Sequence, residues 1–279
     1  VATPIGHARD ITLRALDILA GCRVIACEDT RVARKLFAIH RLGEGRPPPR
    51  FVACHDHNEA AVADQLIARI SEGVAVALVS DAGTPLVSDP GYRLVAQAIA
   101  RGVPVVPVPG PSAVLAALSV AGLATDRFLF AGFLPPRSAA RQRAIAALEP
   151  VAATLVLLES PRRLAAALAD LAAGLGPRPA AVARELTKKF ETVRRGTLDA
   201  LAAAYAAEPP PRGEVTVVIG PPDAAAAPAP DAEAVDTLLR AALTEASARD
   251  AVDRVAAATG LPRRLLYARA LVLKAEADG

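Results

Sequence analysis

The chain of 279 residues has no methionine, not even at position 1, no tryptophan, and only 3% aromatic residues. Its apolar fraction of 53% must therefore build a core from small aliphatics, chiefly Ala, Val and Leu. Three cysteines (Cys22, Cys27, Cys54) leave one unpaired and show no ligand spacing, which argues against both a disulfide scaffold and a structural zinc site. No uninterrupted apolar run approaches the roughly 18 residues of a membrane span, and no basic-then-apolar leader opens the chain. A soluble, cytoplasmic protein with no membrane attachment is expected. The opening residues read as a strand-to-turn junction, so a few leading residues are expected before Val1. The mean hydropathy of +0.32 excludes global disorder, and the length suggests about two domains at roughly 150 residues each.

Apolar runs alternate with helical patterns along the first part of the chain, which predicts parallel βαβ construction. Strands are expected at Arg23–Cys27, Phe51–Cys54, Val74–Ser80 and Val103–Val106. A helix capped by Asp10 should run to Leu19 and stop at Gly21, with further helices over Arg31–Ile39 and Tyr92–Ala100. Each strand delivers a polar or Gly/Pro-rich loop at its carboxyl end, where ligands sit in open α/β sheets. A second unit begins near Asp126. Its strands would be Thr154–Leu158, Ala181–Glu185, Thr192–Arg194 and Glu214–Ile219, bunched closely enough to predict a mixed sheet, with helices around Ala139–Leu148, Arg162–Ala173 and Leu198–Ala206. The Pro/Ala-rich stretch Pro221–Pro230 reads as a linker. Beyond it, three helical segments, the last set off by Thr259-Gly260-Leu261-Pro262, suggest a small helix-turn-helix module. The expected division is 1–122, 123–222 and 231–279.

The net charge of +3 is unevenly placed. Residues 126–195 carry twelve basic side chains against six acidic ones, whereas the C-terminal segment 231–279 is almost neutral. A basic block of this kind can follow a phosphate backbone, and equally can be an ordinary solvated face.

The loops carry the chemistry. Thr3-Pro4-Ile5-Gly6, Ser80-Asp81-Ala82-Gly83-Thr84-Pro85 and Pro109-Gly110-Pro111-Ser112 are stiff, glycine-bearing turns that together can line a small-cofactor pocket. None fits the dinucleotide fingerprint or the Walker loop, so NAD and ATP are disfavoured. Between and after them come Glu28-Asp29-Thr30-Arg31, His55-Asp56-His57-Asn58-Glu59, Asp89-Pro90-Gly91-Tyr92, Gly132-Phe133-Leu134-Pro135, Glu159-Ser160-Pro161-Arg162-Arg163 and Arg184-Glu185-Leu186-Thr187-Lys188. Singly these are weak signals. In this order, over nearly the whole chain, they resemble the family of ribosomal RNA small-subunit methyltransferase I, the cytidine 2′-O-methyltransferases of the tetrapyrrole-methylase superfamily.

That resemblance implies two α/β domains with a cofactor cleft between them, a small C-terminal helical module, a homodimer, and S-adenosylmethionine as cofactor. It implies that Pro4, Asp81, Ala82, Gly83, Thr84 and Leu86 line one wall of the cleft. Ser112 and Ala113 would come from the Pro-Gly-Pro loop, and Leu158, Glu159 and Leu186 from the second domain. His7 stands where the family commonly has asparagine. The substrate would be small-subunit ribosomal RNA, free or in the assembled subunit.

Methyl transfer to a ribose oxygen asks for alignment and for a group to take the hydroxyl proton. Candidates are Glu28, Asp29, Asp56 and Lys188, with His55, His57 and Glu185 as further possibilities. Glu28 and Asp29 end a buried strand, a place suited to aiming a carboxylate into a cleft and equally suited to capping the next helix. The period-two histidines lack further nearby ligands, so no metal is expected. Arg31, Arg162 and Arg184 suit RNA phosphates. Arg263, Arg264, Tyr267, Arg269 and Lys274 of the last segment could dock RNA, or that module could serve packing alone.

Two other functions are open to such a chain. A tetrapyrrole carbon methyltransferase would need a cleft for a flat macrocycle and would have little use for the basic block. A ligand-sensing regulator with a DNA-binding helix-turn-helix would need a strongly basic recognition helix, which the near-neutral last segment lacks.

Overall fold

A computed structural model describes residues 1–45, 47–55, 58–222, 232–259 and 261–278, with side chains as far as residue 276. The described chain divides into two compact units, Val1–Pro221 and Pro222–Gly279.

The first unit contains two sheets. In the smaller one, β1 (Val24–Cys27) lies between β2 (Arg50–Ala53) and β3 (Val76–Val79), all parallel. All four β1 residues are buried because both faces are covered, as parallel sheets require. Ile25 and Cys27 point toward α1 (Leu13–Gly21) and α2 (Thr30–Ile39), where they meet Leu19, Ala33 and Phe37. Val24 and Ala26 face the other way, toward Ala63, Leu66 and Ile67 of α3 (Glu59–Ser71) and Leu94 of α4 (Tyr92–Ala100).

Two expectations fail here. The first helix starts at Leu13, not after Asp10, because the Thr12 hydroxyl accepts from the Ala15 N–H and so provides the cap. Val103–Val106 pairs with no strand among the described residues. Pro104 and Pro107 remove backbone donors from that stretch, and Val105 and Val106 remain exposed.

The larger sheet is mixed. It runs in the order β4 (Phe128–Phe133), β5 (Thr154–Glu159), β8 (Val215–Ile219), β6 (Pro179–Arg184), β7 (Thr192–Thr197), parallel only between β4 and β5. One face packs on α6 (Ser138–Leu148), α7 (Leu164–Leu175) and α8 (Leu198–Ala207) through Ile145, Leu164, Leu168, Leu171, Leu198 and Leu201. The opposite face, with Val156, Ala181, Ala183 and Val218, is covered by Val114, Ala117, Leu118 and Ala121 of α5 (Ala113–Ala121), an element that precedes this sheet in the chain. Ile5 and Leu186 belong to the same cluster. One apolar contact set therefore joins the first loop of the chain to the loop after β6, which is what brings distant residues to one place.

The C-terminal unit consists of α9 (Ala232–Glu245), α10 (Ala248–Thr259) and α11 (Arg263–Asp278), packed on Leu239, Val252, Val255, Leu266 and Leu273. Most of the expected linker and Gly260 lie outside the described residues. No described helix is long and apolar enough to cross a membrane.

Candidate active site

The stiff turns meet. Thr3 and Gly83 form an antiparallel bridge, each N–H donating to the other's carbonyl at 2.9 Å, and Gly83 adopts φ +78°, which glycine accepts without cost. The Thr3 hydroxyl donates to Ser80 O at 3.2 Å, and the Thr84 hydroxyl to Pro111 O at 3.0 Å. The Ala2 N–H donates to Val108 O at 3.1 Å. Pro4, the 81–86 turn and the Pro-Gly-Pro loop leading to Ser112 are thus one scaffold.

That scaffold touches the second sheet's loops directly. Gly6 lies so close to the 186–188 backbone that a Cβ there would sit 2.9 Å from Leu186 O and collide with Lys188 and Thr187. The His7 N–H donates to the Thr187 hydroxyl at 3.0 Å. On another side, Ser88 of the 81–91 loop approaches Gly132 of β4, so that a Cβ on Gly132 would stand 3.5 Å from its hydroxyl. Backbone strain gathers around these contacts. Leu86, Ser88, Glu185 and Thr187 all have φ between +53° and +76° without being glycine. Leu86 is left 40% exposed in that conformation.

Asp81 faces the start of α2, where its Oδ1 accepts the Asp29 N–H at 3.0 Å. Burial pushes the Asp81 carboxyl up, partly countered by that N–H, while the neighbouring Asp29 charge adds to the rise. Ser112 is the N-cap residue of α5, yet its hydroxyl makes no capping bond, and Ala113 is the first residue of that helix. Leu158 and Glu159 end β5. Glu159 is 4% exposed; its Oε1 accepts from the Ser160 N–H at 2.6 Å and from Arg163, while its Oε2 is buried without a partner. Leu186 is buried in the cluster shared with Ile5.

The base candidates separate clearly. Asp29 caps α2: its carboxylate accepts the Arg31 N–H at 2.8 Å and grips the Arg31 guanidinium through Nε and Nη2. These hydrogen bonds hold its pKa down at about 2, which disfavours it as a base toward a ribose hydroxyl. The Lys188 ammonium lies 2.9 Å from Glu185 and 2.7 Å from Glu214. Burial alone would lower its pKa, but the bonds to Glu214 and Glu185 outweigh burial and raise it, so Lys188 stays charged and cannot accept a proton. Glu185 in turn is held below the usual carboxylate range by Lys188. Glu28 directly follows β1 and is half-buried. Asp56 and His57 lie outside the described residues.

Two of the three candidate arginines make contacts within the chain. Arg31 is engaged by Asp29, and each nitrogen of the Arg184 guanidinium donates within the chain, to Thr192 Oγ1, Arg212 O and Phe190 O. Arg162 is exposed and makes no ion pair among the described residues. Several arginines of the basic block are tied internally. Arg141, Arg163 and Arg194 pair with Asp170, Glu159 and Glu208, while Arg178 and Arg195 donate to backbone carbonyls. In the C-terminal unit Arg263 and Arg269 pair with Asp253 and Asp236. Burial pushes the Cys27 thiol up to about 12 and that of Cys54 to about 11, so both stay protonated. Among the described residues no cluster of His, Cys, Asp and Glu suits a metal ion.

Residues 1–202 match the family model described as Tetrapyrrole (Corrin/Porphyrin) Methylases, and residues 228–274 match that of the RsmI C-terminal HTH domain. The chain is 51% identical to ribosomal RNA small subunit methyltransferase I of Mesorhizobium japonicum, over all of this chain and 94% of the relative. It belongs to that family. A second member, from Micromonospora olivasterospora, is 47% identical over 96% of this chain and 84% of its own. Among solved structures, diphthine synthase superposes with a TM-score of 0.61 at 18% identity, covering 79% of this chain and 88% of that one. Uroporphyrin-III C-methyltransferase from Thermus thermophilus, complexed with S-adenosylhomocysteine, gives a TM-score of 0.51 at 21% identity, covering 79% and 95%. These two likenesses concern the fold of the methyltransferase I family member, an α/β architecture followed by a helical C-terminal module.

Proposed function

We propose that this chain is an S-adenosylmethionine-dependent methyltransferase that modifies the ribose 2′-oxygen of a cytidine in small-subunit ribosomal RNA, as a cytoplasmic homodimer. The observation that carries the reading is the convergence of four strained or glycine-bearing loops, from two sheets, on one place: 3–7, 81–88, 109–112 and 185–188. The residues fit a nucleoside sulfonium. A buried carboxylate oxygen of Glu159 lacks a partner, Leu86 is held exposed, and Gly83 lets backbone approach closely. Pro4, Asp81, Ala82, Gly83, Thr84, Leu86, Ser112 and Ala113 would hold the cofactor from one wall, and Leu158, Glu159 and Leu186 from the other. The bound cofactor supplies an electrophilic methyl group. The domains are taken as 1–122, 123–222 and 231–279, with the cofactor between the first two.

The protein's own part is positional. The bridge between Thr3 and Gly83 and the contact of Gly6 with the 186–188 backbone fix the two walls relative to each other. Lys188, fixed by two carboxylates, holds its loop in place. Glu28 and His55 are taken as the base candidates among the described residues, and Arg162 as the arginine that meets a phosphate.

The decisive experiment adds cofactor carrying a labelled methyl group to small ribosomal subunits that lack the modification, then maps the 2′-O-methyl position. Label at a single cytidine is expected. No label in small-subunit RNA, free or assembled, overturns the proposal. In a parallel test, Asp81→Ala should bind S-adenosylmethionine at least tenfold more weakly by calorimetry while its melting temperature stays close to that of the parent. Unchanged affinity removes Asp81 from the site.

A further inference from the structure

The loop between β6 and β7 presents a side chain that neither the core nor the proposed cofactor wall uses. Phe190 is 64% exposed, in a chain with only six phenylalanines and three tyrosines. An exposed ring usually accompanies a slack loop, but this loop is held from several directions. Arg184 Nη2 donates to Phe190 O at 3.0 Å, and the Thr187 N–H donates to Glu191 Oε2 at 2.6 Å. The Glu191 N–H donates to Lys188 O at 3.1 Å, and the Lys188 N–H to Glu185 O at 3.0 Å. Glu185 and Thr187, both left-handed, set the path of the backbone. The ring is therefore displayed by a built structure, at a position already organised before any ligand arrives.

Its surroundings narrow what it can receive. The Lys189 ammonium lies over the ring, 5.5 Å from the centroid, and forms no ion pair among the described residues. The adjacent side chains are charged or polar: Lys188, Glu191 and Thr192. A protein-binding anchor is normally ringed by apolar neighbours that exclude water, whereas the chain neighbours of Phe190 are charged or polar. An aromatic face paired with a free cation is instead the combination that takes unpaired nucleotides, the ring stacking on the base and the cation meeting the phosphate. The same loop carries Leu186 and Lys188 against Gly6, so a base stacked on Phe190 lies at the edge of the candidate active site.

We infer that Phe190, with Lys189, is a stacking platform that holds an unpaired base of the RNA strand whose ribose is to be methylated. The inference rests on the RNA-directed reading given above, and it makes Phe190 a substrate-positioning residue.

The absence of tryptophan provides a direct probe, because Phe190→Trp introduces the chain's sole indole. Titration of that variant with a single-stranded oligocytidine should quench its emission saturably, whereas the same strand annealed to its complement should quench it far less. Phe190→Ala should bind the single strand about 5- to 100-fold more weakly, the range expected for one lost base stack. Phe190→Tyr should restore binding, and S-adenosylmethionine affinity should stay within twofold in all three variants. Emission that ignores the single strand, or wild-type RNA affinity in Phe190→Ala, overturns the platform. So does a change in self-association on sedimentation with RNA affinity unaltered, which would mark a protein contact. Methyl transfer by the unmodified chain is measured separately: quenching without methyl transfer sinks the proposed function and spares the platform, and methyl transfer without quenching does the reverse.

Discussion

At Asp29 two uses of a carboxylate compete, and hydrogen-bond geometry decides between them. The Arg31 N–H and guanidinium both stabilise the charged form, so the folded pKa, about 2, lies below the ordinary value of 3.8. A depressed carboxylate contributes stability that is complete above about pH 4 and is lost as pH falls toward 2. Asp29→Ala should therefore be less stable than the parent at pH 7, and its stability in urea titrations should fall less steeply between pH 4 and pH 2. Parallel pH profiles for the two proteins would show that the pairing adds nothing to folding. The sequence put Glu28 and Asp29 at the end of a buried strand, which was right, and left cap and base open. Only coordinates place the Arg31 guanidinium against Asp29. Lys188 is similar: its charge is legible in the sequence, but Glu214, which keeps it protonated, is 26 residues away.

Elements with clear punctuation were legible and those without it were not. The helix Tyr92–Ala100 and the βα turns after β1, β2 and β3 follow from Gly, Pro and Asp/Asn at element ends. The strand β4 carries little local signal, since its Phe-Leu-Phe-Ala-Gly-Phe run has no alternation and its ladder is interrupted between Phe130 and Gly132, where Gly132 takes φ +65°. Val103–Val106 looked like a strand by composition but has prolines at 104 and 107 and no partner to pair with. Helix packing shows a further feature hidden from local pattern. The largely buried Arg141 of α6 meets Asp170 of α7, which also accepts from Ser138 and Gln142. Asp170→Ala would strand a buried guanidinium and is expected to cost about 3–5 kcal/mol in urea unfolding, with Arg141→Met on top of it recovering part of the loss. A cost below 1 kcal/mol would mean that water reaches Arg141 easily.

For the molecule as a whole, two units with separate apolar clusters imply separable melting. Leu239, fully buried among α9, α10 and α11, contributes only to the C-terminal cluster. Leu239→Ala should destabilise that unit by about 2–5 kcal/mol and leave the main transition in place by calorimetry. A single transition shifted as one would show that the units fold together. The sequence by itself determined the core of small aliphatics, the alternation of strand and helix, the order of stiff turns at strand ends, and through that order the family. Each of these depends on residue type and on spacing over a few positions. The tertiary structure alone decided that α5 covers the second sheet and that the 3–7 turn rests on the 185–188 loop, through a hydrogen bond spanning 180 residues. It also decided that several arginines of the basic block are paired internally, while Arg162, Lys189 and the displayed Phe190 are among the residues left facing outward. Such outcomes depend on which distant side chains come within hydrogen-bonding reach, and no local pattern of residues encodes that.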